Sequence, residues 1–254
     1  MIVRSTPEGW RIIFQSAHGL LAQCIAAELQ VSDQLPFWQL TQTAIGIHDD
    51  GKQPYLRGAR TYLTDAGAPR DFVLVPMESD DRRQDAEGHI WEARKKHRWI
   101  GLLVSFHTDF LYREESVSAE MSQFLKNEEI RRAAVLDELN ATTDDLQKAY
   151  DWMHWCDRLS LILAGEDVPA MQRHIEIITN SLGQRYDLHQ AKDGSLQVEP
   201  WPFRRQQFTV AVEDRTVTQL AFRDDEELAK ALCHAKVTER MHKFETKSLM
   251  PAPA

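Results

Sequence analysis

Residues 143–163 read Thr143-Asp144-Asp145-Leu146-Gln147-Lys148-Ala149-Tyr150-Asp151-Trp152-Met153-His154-Trp155-Cys156-Asp157-Arg158-Leu159-Ser160-Leu161-Ile162-Leu163. Within them Thr143, Leu146, Ala149, Tyr150, Met153, Asp157, Ser160 and Leu161 recur at helical spacing, the best such stripe in the chain. Gly165 follows and ends the helix. Asp157 holds a stripe position with Met153 and Leu161 one turn away on either side. An unpaired buried carboxylate costs several kcal/mol, so Asp157 should be protonated, ion-paired or bound to a cation.

The same periodicity extends outward on both sides. Leu21, Cys24, Ile25 and Leu29 predict a helix with Ser16 as its cap. Pro36 opens a second helix through Leu40, Ala44 and Ile47, and Gly51 is placed to stop it. Residues 85–111 read as one helix, 117–139 as another, and 169–182 as a last one. Residues 10–14 read as a short strand, and 185–222 as a hairpin-rich β segment around Asp193-Gly194. A final helix is expected over 224–243 and a disordered tail over 248–254. The fold class predicted is mainly α: a helical domain over 1–183 and a small β-containing C-terminal unit over 184–247. Residues 51–82 carry Gly and Pro with little periodicity, and a stretch that long reads as a lid or pocket wall.

The composition narrows the classes of function. The 254 residues carry a formal net charge of −9, against a general nucleic-acid or anionic-membrane binder. Eleven Gly and ten Pro are few for a Gly/Pro-rich β architecture. The longest apolar run, 99–106, falls far short of the ~20 residues that span a bilayer. Residues 1–8 lack an apolar signal core, so no export is expected. Cys24, Cys156 and Cys233 make neither a disulfide scheme nor a zinc motif. A cytoplasmic location is the expectation, with homo-oligomerisation left open.

The candidate chemistry lies in histidines and aspartates on apolar stripes. His48 continues the stripe of Ala44, with Asp49 about 100° round the helix. His18 shares the stripe of Leu21 and Ile25, and His107 follows Leu103 by one turn. Any one of these reads blandly as a hydrogen-bonded core group. Together they gather imidazole and carboxylate from separate helices, a donor set suited to a borderline or hard divalent ion such as Mn, Fe, Zn, Co or Mg.

At these residues the chain resembles the HD superfamily. In that superfamily a His, an adjacent His-Asp pair on the next helix and an Asp on a later helix bind a divalent metal. The matching positions are His18, His48 with Asp49, and Asp157. The chain is also similar to a bacterial family catalogued as domain of unknown function 3891. The shared segments are Gln15-Ser16-Ala17-His18, His48-Asp49-Asp50-Gly51, Pro69-Arg70-Asp71-Phe72, Leu102-Leu103-Val104-Ser105-Phe106-His107, Cys156-Asp157-Arg158-Leu159-Ser160-Leu161 and Pro200-Trp201-Pro202-Phe203. An aromatic is expected after His-Asp-Asp-Gly; Lys52 stands there instead, either reaching a phosphate or simply solvated.

The resemblance implies an HD-like helical bundle and a metal-dependent phosphohydrolase acting on a small phosphorylated or nucleotide-like substrate. His18, His48, Asp49, Asp157 and His107 would hold one or two ions. His107 could instead orient a water and relay a proton, and Asp50 would either support the ligands by hydrogen bonding or accept a proton. Lys52, Arg57, Arg60 and Arg70 are candidate phosphate cations. A di-iron HD-type oxygenase and a non-catalytic metal- or nucleotide-binding module are the alternatives. The oxygenase needs a sixth ligand. His89 and His97 are the candidates, yet on one straight helix they stand about 27 Å and about 15 Å from His107.

Overall fold

The computed structural model describes residues 1–31, 35–50, 62–74, 79–113 and 118–246. A hairpin of β1 (Ile2–Thr6) and β2 (Gly9–Ile13) leads into α1 (Gln15–Ala26) and α2 (Trp38–Ile47). Next come α3 (Ser79–Lys96), α4 (Arg98–Tyr112), α5 (Ala119–Leu139) and α6 (Thr143–Ala164). Strands β3 (Ile175–Thr179), β4 (Arg185–Gln190), β5 (Leu196–Glu199) and β6 (Gln207–Val217) follow, then α7 (Asp225–His234) and β7 (Lys236–Glu245).

The mainly α expectation is overturned. About half the chain is helical, and all seven strands join one large curled mixed sheet in the order β1-β2-β6-β7-β5-β4-β3. Among the described residues, only the β5–β7 pair is parallel. The N-terminal hairpin enters this sheet through the pairing of β2 with β6. One expected helix is a strand, and another gives way to a strand halfway along. Ile175-Glu176-Ile177-Ile178-Thr179 is a β-branched run whose apolar spacing suits either period, and pairing with β4 decides it. The helix expected over 224–243 stops at His234, and β7 then pairs with β6 from Thr216↔Lys236 to Gln207↔Glu245. That long ladder outweighs the weak helical propensity of Val237, Thr238 and their neighbours.

The helix expected over 85–111 is two helices. His97 is extended and caps α4, its Nδ1 accepting from the Trp99 amide at 3.0 Å. The chain folds back there, and α3 packs along α4. By contrast α6 matches its expected span, opened by a capping box in which Thr142 and Asp145 bond each other's amides.

One core joins the helices to the sheet: Leu21, Ile25, Leu103, Met153 and Leu163 from the helices meet Leu188, Val198, Phe208 and Phe244 from the strands. A smaller cluster places Tyr62, Leu63, Phe222 and Leu228 with Met1, Ile12 and Val217. Residues 62–74, expected as part of a lid or pocket wall, are tied down. Asp71 Oδ2 accepts from the Val3 amide at 2.9 Å, and Asp225 Oδ1 accepts from the Tyr62 amide at 2.8 Å. Lys52, Arg57, Arg60 and the tail over 248–254 lie outside the described residues. Among the described residues, no helix is long and apolar enough to cross a membrane.

Candidate metal centre

Four helical segments converge on one buried spot. His18 lies on the inward face of α1 with Leu21, Ala22 and Ile25. His48 is the C-cap of α2, with Asp49 directly after it. His107 comes from α4 and Asp157 from α6. Helices α1 and α2 can approach closely here because Gly19 has no side chain: a Cβ on it would stand 2.6 Å from the Gly46 carbonyl oxygen. All five residues are buried.

Distances within the cluster are short. His18 Nε2 lies 3.1 Å from Asp49 Oδ2 and 3.6 Å from Asp157 Oδ1. His48 Nε2 lies 3.0 Å from Asp157 Oδ1 and 3.8 Å from Asp49 Oδ2. The His18 and His107 rings each stand edge-on to His48, with centroids 5.0 and 5.3 Å away. Two sets of donor atoms fall within 4.8 Å of one another, His18–His48–Asp157 and His48–Asp49–His107, and each could hold a metal ion.

Each histidine is oriented by its other nitrogen. His48 Nδ1 donates to the Ile45 carbonyl at 2.6 Å, which leaves Nε2 facing the carboxylates. The Ser160 hydroxyl donates to the Asp157 carbonyl at 2.8 Å, so its oxygen accepts from His18 Nδ1, also at 2.8 Å. His107 Nδ1 lies 3.2 Å from the Tyr150 hydroxyl. Such partners fix tautomer and ring direction in metal-binding histidines. A family model described as Protein of unknown function (DUF3891) matches residues 1–219. The chain belongs to this family. No curated protein and no solved structure matches it.

In this DUF3891 chain the electrostatics of the cluster call for a positive charge. Burial works against a charged His48, but Asp157 and Asp49 outweigh it and raise its pKa from 6.5 to about 9. Burial likewise works against an ionised Asp157, yet His48, then His107 and His18, hold it well below the usual carboxylate range. With no metal bound, a proton on His48 offsets one of the two carboxylate charges. A divalent cation would replace that proton, so the donor set fits a metal.

Asp50, expected as a proton acceptor, belongs to neither donor set. With His89 and Lys96 it lines a cavity of about 320 Å³ between the end of α2 and α3, open to solvent as a residue but with its carboxyl turned partly toward the protein. Partial burial raises its carboxyl above the ordinary value, opposed by Lys96 and His48.

Four further residues, Gln15, Ser160, Tyr150 and His89, shape the centre through contacts that the sequence does not assign to them. Gln15 Nε2 donates to Asp49 Oδ2 at 3.4 Å. Ser160 and Tyr150 were visible as polar members of the α6 stripe, which was the available signal. His89, a candidate sixth ligand from the sequence, approaches the centre only because the chain folds back at His97, which a single straight helix does not allow. Its Nε2 donates to the His48 carbonyl oxygen at 2.8 Å. His97 itself serves as the α4 cap, against the Phe37 ring.

Proposed function

We propose that this chain is a divalent-metal-dependent hydrolase of a phosphate ester or nucleotide, its centre akin to those of the HD superfamily. The observation that carries the reading is the convergence of His18 and His48 Nε2 with the carboxylates of Asp49 and Asp157 in one buried cluster. The donor order along the chain, His then His-Asp then Asp, supports the kinship.

His48 has one nitrogen to offer, because Nδ1 is bonded to Ile45. Both donor sets need the one free-facing nitrogen of His48, which favours a single ion whose ligands are drawn from His18, His48, Asp49, His107 and Asp157. The di-iron alternative needs two separate sets. When bound, a divalent ion would lower the pKa of a water and polarise a phosphoryl oxygen. Ser160, Ile45 and Tyr150 keep the three imidazoles aimed inward, which limits reorganisation. Asp50 stands beside the centre with its carboxyl pKa raised, suiting it to take up a proton. Lys96, on the same cavity, contributes positive charge toward a phosphate in an otherwise acidic protein.

Inorganic phosphate release from nucleotides and simple phosphate esters, in the presence of Mn²⁺, Fe²⁺, Co²⁺, Zn²⁺ or Mg²⁺, tests this. Turnover by the intact chain, lost in His48→Ala and Asp49→Ala, is expected. No release with any of these ions would overturn the reading.

A further inference from the structure

A second group of ligand-type side chains lies on the sheet. Strand β4 pairs with β5 so that Leu188 opposes Val198, His189 opposes Gln197 and Asp187 opposes Glu199. Opposed residues share a face and alternate residues change face. Leu188 and Val198 belong to the hydrophobic core, which puts His189, Gln197 and Glu199 on the other face. Strand β3 pairs Ile175 with Leu188, so His174, one residue earlier, comes beside His189. Their rings stack with centroids 4.2 Å apart and planes 18° apart.

We propose that His174, His189 and Glu199 form a second divalent-metal site, of zinc type, on the β3–β4–β5 face of the sheet. One donor atom from each lies within 4.8 Å of the other two. Two imidazoles and one carboxylate are a usual zinc donor set, with the fourth position left to water. His189 is buried and already oriented: its Nε2 donates to the Gln197 amide oxygen at 3.0 Å. That hydrogen bond makes Nδ1 the lone-pair nitrogen and supplies the outer support that metal-binding histidines usually have.

Tetrahedral zinc with ordinary bond lengths needs donors about 3.3 Å apart, so the stacked rings must splay on binding. His174 and Glu199 are exposed whereas His189 is buried, so ion binding would draw the two outer side chains toward His189. Since β3 is the terminal strand of the sheet, an ion here would clamp that edge to β4 and β5. The site shares no residue with the helical centre and does not depend on it.

The test is zinc stoichiometry and affinity. The full chain is stripped with chelator, dialysed against low-micromolar Zn²⁺ and assayed for metal per chain. His174→Ala and Glu199→Gln, both at exposed positions, should each hold one Zn²⁺ fewer than the wild type, or hold it at least tenfold more weakly. Their circular dichroism should be unchanged. Asp157→Asn, which disables the helical centre, should keep this ion, so failure of either site shows in a different variant. Wild-type zinc count and affinity in either His174→Ala or Glu199→Gln would overturn the proposal and leave an ordinary stacked histidine pair.

Discussion

His48 Nε2 stands 3.0 Å from Asp157 Oδ1, across 109 residues of sequence and inside the core. This contact closes the C-terminal end of α2 onto the middle of α6. It also sets the charge of the whole cluster, because Asp157 is the leading partner that keeps His48 protonated against burial.

A pH dependence of the metal-free protein follows from that pair. The folded pKa of His48 lies at about 9, above its ordinary 6.5. Its stabilisation is therefore complete below about pH 6.5 and lost as pH rises through 9. Asp157 titrates on the other side: lowered from 3.8, it stabilises above that value and ceases to as pH falls further. The two describe one interaction and are not added. In chelator-treated protein, Tm should fall on the order of 5–10 °C between pH 6.5 and 9.5. Metal-loaded protein should show no such fall, and binding at pH 7.5 should release a proton, measurable by calorimetry in buffers of different ionisation enthalpy.

Asp157→Asn keeps the shape and removes the charge. In metal-free protein it leaves a buried histidinium without its main partner, which costs about 3–5 kcal/mol by urea denaturation. His48 should then titrate well below its wild-type value, as followed by its imidazole NMR signals. An unchanged His48 titration would contradict the pairing.

Tyr150→Phe and Ser160→Ala remove hydrogen-bond partners of His107 and His18 while leaving the donor atoms in place. Each should weaken metal binding about 10–100-fold in a chelator competition titration, with far-UV circular dichroism unchanged.

Gly19→Ala tests the packing that brings His18 to His48. Its Cβ would press on the Gly46 carbonyl oxygen and push α1 from α2. A loss of about 1–3 kcal/mol of stability is expected, together with weaker metal binding.

The donor residues were legible because their stripes are strong. Asp157 interrupts an otherwise apolar face of α6, and His18 and His48 do the same on α1 and at the end of α2. Their orienting partners were only half legible: Tyr150 and Ser160 lie on the α6 stripe, but which histidine each serves depends on how the helices cross. His89 reads as too distant on one straight helix, because nothing in Lys95-Lys96-His97-Arg98 marks a break, having neither Gly nor Pro. The sheet was underestimated for a related reason. Strand β7 alternates exposed and partly buried residues, but its inward positions Thr238, Arg240 and His242 are polar while Val237 and Met241 are exposed, so no apolar alternation marks it in the sequence. Its state is decided by β6, which lies on the far side of α7 in the chain.

Anomalous diffraction from crystals of the full chain, grown with Mn²⁺ or Zn²⁺, tests the centre most directly. One ion is predicted among His18, His48, Asp49, His107 and Asp157, at about 2.0–2.2 Å from the Nε2 atoms of His18 and His48 and from both carboxylates. Absence of any anomalous peak among these five residues, at saturating metal, would contradict it.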